Sequence, residues 1–296
     1  MNKCGYVAVI GRPNVGKSTL INNIVGEKVS IVTAKPQTTR HQILAIETSK
    51  KGQILFIDTP GIHTGQKKAL NKYMNKTAVA AVHDVDLILF LVESLRWNEN
   101  DEKALLALEY TKTPVILVIN KADLIKQKEA LLPFANKIFE KYNFKDIFYI
   151  SASKGKGVAD LENKIYQYLP ESENHFDQDQ LTDKSTKYLV SELVREQLML
   201  RFHQELPYSL TVEVESFKDK GNIVHIHALI WVERETQKNM LIGKHGSSLK
   251  YVGIHARKEI QDLVGKQVHL KLWVKVKSAW ADNDRLLQQL GYKEDY

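Results

Sequence analysis

Five short apolar runs in the first half of the chain, Tyr6 to Ile10, Gln53 to Asp58, Asp86 to Val92, Pro114 to Asn120 and Asp146 to Ile150, show little polar alternation. Runs of that kind read as strands buried on both faces, and the longer helical patterns between them supply the covering layers. The alternation predicts an α/β domain on a mostly parallel sheet. His41 to Thr48 alternates more loosely just before the second run, with Lys51-Gly52 between them, and reads as its antiparallel hairpin partner.

This order lasts to about residue 170. Pro170-Glu171-Ser172-Glu173-Asn174 has a proline at its head and no large apolar side chain, which places a domain boundary there, with 171–182 as linker and 183–296 as a second domain with a C-terminal tail. Asp183 to Glu205 reads as a helix capped by Asp183, with Leu189, Leu193, Val194, Leu198 and Leu200 near one side. Tyr208 to Phe217 and Asn222 to Arg234 read as strands, Ser247 to Val264 as a helix with apolar residues at 3-4 spacing, and Gln267 to Lys277 as a last strand. The tail from Ser278 to Tyr292 reads as a short amphipathic cap.

Composition narrows the function classes. With 296 residues, 43% of them hydrophobic, the chain has globular composition. Its longest apolar runs, such as Leu87 to Val92, fall far short of the roughly 20 residues of a membrane span, and the N-terminus lacks a signal-peptide pattern. A single cysteine, Cys4, cannot form an internal disulfide or a cysteine zinc site, and a reducing cytoplasm is expected. His225 and His227 share a strand face without a third ligand and read as plain sheet surface, so no structural metal is expected there. The net charge of +7 is uneven: residues 1–170 carry 24 Lys+Arg against 16 Asp+Glu, and 207–277 carry 12 against 7. Two basic blocks suggest an anionic partner.

Gly11-Arg12-Pro13-Asn14-Val15-Gly16-Lys17-Ser18 matches GxxxxGK[ST] and lies between the first strand and a helical pattern through Leu20, Ile21 and Ile24. In that context glycines let backbone N–H groups turn around phosphates, the lysine reaches the β/γ oxygens and the hydroxyl ligates Mg²⁺. Asp58-Thr59-Pro60-Gly61 ends the next parallel strand, so Asp58 is placed to reach the magnesium shell and the Gly61 N–H a γ-phosphate. Asn120-Lys121-Ala122-Asp123 ends another. The Asp123 carboxylate can accept from N1–H and the exocyclic amine of guanine, groups adenine does not offer, which selects GTP over ATP. Ser151-Ala152-Ser153 ends the last strand, where a backbone N–H can meet the guanine O6.

These four elements, in this order at strand ends, resemble the Ras-like GTPases. The resemblance implies a nucleotide held by Gly11, Asn14, Val15, Gly16, Lys17, Ser18, Thr19, Asp58, Gly61, Asn120, Lys121, Asp123, Ser151, Ala152 and Ser153, with Lys17, Thr39 and Gly61 as the catalytic set and Ser18, Thr39 and Asp58 around Mg²⁺. Thr39 is the choice within the switch-like stretch Lys35-Pro36-Gln37-Thr38-Thr39-Arg40, with Thr38 as the alternative. Ras-type switches follow DxxG with a glutamine that orients water. This chain has Ile62, so hydrolysis needs another group, a partner or an ion. Asn14 resembles the asparagine by which one branch of these GTPases binds K⁺.

In the second half, Ile242-Gly243-Lys244-His245-Gly246 precedes a helix, after two strands and before a third, and Lys250, Arg257 and Lys258 follow it. This arrangement resembles a type II KH domain. Two glycines admit a sugar-phosphate strand, the helix N-terminus favours phosphate, and an adjoining apolar groove accepts unstacked bases. With the block Leu272-Trp273-Val274-Lys275-Val276-Lys277-Ser278, the whole chain resembles the bacterial GTPases that join one Ras-like domain to one type II KH domain. That resemblance implies a slow cytoplasmic GTPase, a monomer, with GTP/GDP, the 3′ end of small-subunit ribosomal RNA and the 30S subunit as partners, a role in small-subunit maturation, and a peripheral membrane contact. A tRNA-modifying relative would share the asparagine-bearing P-loop but needs cysteine-bearing parts this chain lacks. A pure RNA-binding module would show no GTP turnover.

Overall fold

The computed structural model describes residues 2–62, 69–203, 206–289 and 292. It divides into two compact units, one of the residues up to Asp183 and one of the residues from Lys184 on, with Ala69 and Leu70 grouped with the second.

The first unit runs β1 (Lys3–Ile10), α1 (Lys17–Val25), β2 (Ile43–Ser49), β3 (Gly52–Asp58), α2 (Ala69–Ala80), β4 (Leu87–Glu93), α3 (Glu99–Leu106), β5 (Val115–Asn120), α4 (Leu131–Phe139), β6 (Asp146–Tyr149) and α5 (Val158–Tyr168). Its sheet has the order β2-β3-β1-β4-β5-β6, parallel except for β2, which pairs antiparallel with β3 as the hairpin pattern predicts. Strands β3, β4 and β5 are buried at every position because separate apolar clusters cover the two faces, one with α1 and α5 residues, the other with residues of α2, α3 and α4. The carboxyl ends of β1, β3, β4, β5 and β6 therefore open at one end of the sheet, where side chains leave the core together.

The stretch read as a linker is fastened to this unit. Gln53 Oε1 accepts from the N–H groups of His175 (3.0 Å) and Phe176 (3.1 Å), Ile46 N donates to Leu181 O at 2.9 Å, and Phe176 packs beside Cys4, Ile46 and Leu55. Asp183 accepts from Leu44 N instead of capping a helix. The next helix, α6 (Thr186–Arg201), starts later than the pattern suggests, capped by Ser185, whose side chain accepts from Tyr188 N.

In the second unit α6 is followed by β7 (Leu210–Asp219), β8 (Ile223–Val232), α7 (Glu235–Ile242), α8 (Ser247–Val264), β9 (Gln267–Val276) and α9 (Asp284–Gln289). The sheet order is β7-β8-β9, antiparallel then parallel, and one core joins its inner face to α6 and α8. The tail caps this unit: Trp280 is buried, its Nε1 donates to Ser209 O at 3.1 Å, and the Tyr292 hydroxyl lies 3.1 Å from Thr211 Oγ1. Among the described residues, no helix is long and apolar enough to cross a membrane.

Candidate functional site

The loop between β1 and α1 bends through positive φ at Gly11 (155°), Asn14 (65°) and Gly16 (104°). A side chain at Gly16 would run into the amide of Asn120, so both backbone freedom and space require glycine. Lys17 is buried, and its Nζ donates to the carbonyls of Gly11 (3.0 Å) and Arg12 (3.1 Å) of its own loop. Burial pulls the ammonium down to about 8, with the Asp58 charge working against that. A phosphate bound in the loop would supply a counter-charge in place of the hydration that burial removed.

Three oxygens converge beside it. Ser18 Oγ donates to Asp58 Oδ2 at 2.8 Å and lies 3.0 Å from Thr39 Oγ1. Asp58 is fully buried, and its Oδ1 has no hydrogen-bond partner among the described residues. Burial raises this carboxyl, and the Lys17 charge and Ser18 hydroxyl pull it back. Hard oxygen donors with an uncommitted buried lone pair fit Mg²⁺. The structure brings Thr39 to this cluster and not Thr38, whose Oγ1 lies 2.7 Å from Thr33 Oγ1 and donates to Lys35 O.

The same cleft is lined by Pro13, Asn14, Thr19, Gln37 and Gly61. Gly61 lies against the loop so closely that a Cβ would stand 2.6 Å from Pro13 N. Ile62 is buried in the apolar cluster over one sheet face, so its alkyl chain serves the core. Asn14 Nδ2 donates to Ala34 O at 2.8 Å, tying the phosphate loop to the stretch that carries Thr39.

Asn120 joins three loops with one buried amide. Its Nδ2 donates to Val15 O (2.7 Å), and its Oδ1 accepts from Lys121 N (2.7 Å) and Ala152 N (2.9 Å). The Ser151 hydroxyl beside Asp123, with Lys154 Nζ at 3.0 Å, holds that carboxyl below its ordinary value. Ser151 N donates to Lys156 O and Ala152 N to Asn120, which leaves Ser153 as the residue of the three whose N–H has no protein acceptor among the described residues.

In the second unit, Gly243 (φ 71°), His245 (50°) and Gly246 (76°) bend the chain between α7 and α8. A Cβ at Gly243 would sit 2.6 Å from Ser248 Oγ, whereas Gly246 has open space and needs glycine only for its φ. No side chain caps the N-terminus of α8. A groove beside the turn is lined by Gly246, Leu249, Lys250, Gly253, Ile254, Arg257, Leu270 and Leu272, an apolar floor from α8 and β9 with two cations on it. Ile242 ends α7 just ahead of the turn, Lys244 and His245 lie in the turn itself, and Lys258 is exposed on α8 but does not line the groove.

A family model described as 50S ribosome-binding GTPase matches residues 6–121, and a KH domain model matches 205–281. GTPase Era of Pseudomonas aeruginosa is 48% identical over 291 residues, covering 98% of this chain and 95% of that one. The chain belongs to the Era family of GTPases. A crystal structure of Era in complex with MgGDPNP and nucleotides 1506–1542 of 16S ribosomal RNA matches with a TM-score of 0.95, 38% identity and 99% coverage of both chains. A variant of Aquifex aeolicus Era bound to GDP·AlF4⁻ matches with a TM-score of 0.93 and 38% identity, covering 98% of this chain and 99% of that one. As a member of the Era family, the chain is a GTPase with a Ras-like domain and a C-terminal KH domain.

Sequence reasoning did not single out the ion pairs at the end of β4. Arg12 Nη2 donates to Glu93 Oε2 (2.9 Å), and its Nε to Asp101 Oδ2 (3.0 Å). Arg12 occupies one of the motif's unspecified positions, and Asp101 reads locally as the last residue of the Asn98 capping box. The only signal in sequence is that a strand of unbroken apolar residues ends on an acid, Glu93.

Proposed function

We propose that this Era-family chain is a GTP-driven switch that binds single-stranded RNA at the 3′ end of the small-subunit ribosomal RNA and acts in small-subunit maturation. The observation that carries the nucleotide half is the convergence of Ser18, Thr39 and Asp58 beside the buried Lys17. Thr39 belongs to the switch stretch, so whatever holds it there also holds that stretch over the loop. Ser18, Asp58 and Thr39 would hold Mg²⁺, which when bound neutralises charge developing on the phosphates. Lys17 binds the β/γ oxygens, Gly61 lets backbone approach the γ-phosphate, Asp123 accepts from the guanine edge and Ser153 N–H donates to O6.

Ile62 leaves the attacking water without a side chain from that position, which supports slow turnover until a partner or ion assists. The link from Asn14 to Ala34 leaves Asn14 Oδ1 to face K⁺, the candidate ion. If it does, replacing K⁺ by Na⁺ at constant ionic strength lowers the rate, and Asn14→Ala abolishes the difference. Insensitivity of the unaltered protein would remove K⁺ from the reading.

The RNA half rests on the GxxG turn at the open N-terminus of α8 and the groove beside it, with Ile242 to Gly246, Lys250 and Arg257 as contacts and Lys258 as a flanking charge. The relative solved with the 16S fragment supports the choice of RNA. The net charge of +7 supports anionic partners, and cytoplasmic placement as a monomer, with a peripheral membrane contact, completes the reading. GTP hydrolysis measured with and without a small-subunit 3′-end oligonucleotide tests it. Stimulation by that RNA, lost with a scrambled sequence, is expected; turnover and nucleotide affinity blind to the RNA would overturn the coupling.

A further inference from the structure

Glu93 is the last residue of β4 and pairs across the sheet with Asn120, the residue that ties the base loop to the phosphate loop. Its carboxylate is 11% exposed and touches three cations: Arg12 Nη2 at 2.9 Å and Lys121 Nζ at 3.2 Å on Oε2, and Arg96 Nη1 at 3.0 Å on Oε1. Arg12 lies in the phosphate loop and Lys121 in the base loop. Behind Arg12, Asp101 is fully buried and is fixed in turn by the N–H of Asn98 at 3.0 Å. Burial pushes Glu93 toward the neutral acid, but its contacts with Arg12 and Lys121 outweigh that and hold it below the usual carboxylate range.

The geometry points to Glu93 as a positioning residue that joins the phosphate loop and the base loop into one clamp and sets how long a guanine nucleotide stays bound. This rests on the nucleotide-site reading above. Lys121 has a backbone φ of 61°, fixed at one end by Asn120, and its ammonium is fixed at the other by Glu93. The four-carbon stem is thus held at both ends before any ligand arrives. A free lysine loses rotamer freedom when it is ordered, and here that cost falls on folding instead of on binding. Glu93 also keeps the cationic groups of Arg12 and Lys121, one from each loop, from repelling one another. Arg12 and Lys121 meet on one oxygen, so a shift in either loop strains the other.

The test uses the full-length protein with release of a fluorescent GDP analogue and steady-state GTP hydrolysis. Removing one partner of a nearly buried charge pair acts mainly on dissociation, so Glu93→Gln is expected to speed release about tenfold and raise KM in proportion, with kcat within about twofold. In a Lys121→Met background the same change should add less than about twofold, because the ammonium it acts through is gone. Glu93→Asp keeps the charge but loses one methylene of reach, so its release rate should fall between the two. It also serves as the test should Glu93→Gln fail to fold. Unchanged release and KM, or an acceleration that persists in full without the Lys121 ammonium, would overturn the clamp. The guanine reading fails separately, on whether Asp123→Asn shifts preference toward xanthosine nucleotides, so the two can be told apart.

Discussion

The phosphate loop and the GxxG turn are locally alike. Each bends on glycine in positive φ, places a lysine at the bend and opens onto the N-terminus of a helix with no side-chain cap, α1 in one unit and α8 in the other. Their surroundings differ. Lys17 is buried among loop carbonyls and the Asp58 carboxylate, and the loop is bonded to Asn120 behind it. Lys244 lies on an exposed turn, and a Cβ at the neighbouring Gly246 would meet nothing within 4 Å. The same backbone device becomes a preorganised, selective site where its polar groups are buried and held by the surrounding loops. Where it stays open, it becomes an adaptable, charge-driven surface.

Truncating the two lysines should therefore have unequal effects. Lys17→Ala is expected to cut GTP hydrolysis by roughly three orders of magnitude with the fold intact, because it removes a preorganised donor from a water-poor site. Near-normal turnover in that variant would break the contrast. Next in size, Asp123→Asn should weaken GTP about 100-fold and improve xanthosine triphosphate, since an amide can donate to the 2-oxo group where a carboxylate only accepts. Equal loss of both nucleotides in a binding assay would mean disordered structure instead of altered recognition.

On the open side, changing Lys244 and His245 together to Asp sets two negative charges against an RNA backbone. Filter binding should show at least about a tenfold loss for single-stranded RNA, while KM for GTP stays within about twofold. Unchanged RNA affinity would reduce the glycine bend to a turn.

Burial also gives the two lysines different pH behaviour. The Lys17 ammonium is pulled to about 8, and bound phosphates would raise it again, so nucleotide binds the protonated form and affinity falls as pH rises through 8. With only that group titrating, the loss from pH 8 to 9 is about fivefold and binding takes up a proton, measurable by calorimetry in buffers of different ionisation enthalpy. Affinity flat across that interval would show that phosphate does not meet this ammonium. The smallest effect is expected for Lys244→Ala, which should flatten the log-affinity against log-salt slope for single-stranded RNA by about 0.7.

Much of the first unit was legible because its signals are local. The apolar runs became β1, β3, β4, β5 and β6, and the hairpin pattern became β2; β3, β4 and β5 are buried throughout as their composition predicts, whereas β6, at the sheet edge, is only half-buried and leaves Tyr149 exposed. Thr39 over Thr38 followed from resemblance, and the physical reason appears only in three dimensions: Thr38 closes a turn with Thr33 and Lys35, which leaves Thr39 to reach Ser18. The 171–182 stretch read as a linker because it is polar. Its attachment runs through backbone groups and the side chain of Gln53, and backbone hydrogen bonds leave no compositional trace.

The kinds of chemistry are written along the chain: a P-loop after a strand, an acid at the end of β3, an NKAD turn at the end of β5, and a GxxG ahead of an 18-residue helix. These are contiguous patterns, and contiguity is what a sequence records. How they are joined emerges on folding. Asn120 bonds to Val15 across 105 residues, Arg12 meets Glu93 across 81, and Ser18 meets Asp58 across 40. Such pairings are set by strand order and register, which place distant strand ends side by side, so the side chains that turn separate motifs into one site show no spacing of their own along the chain.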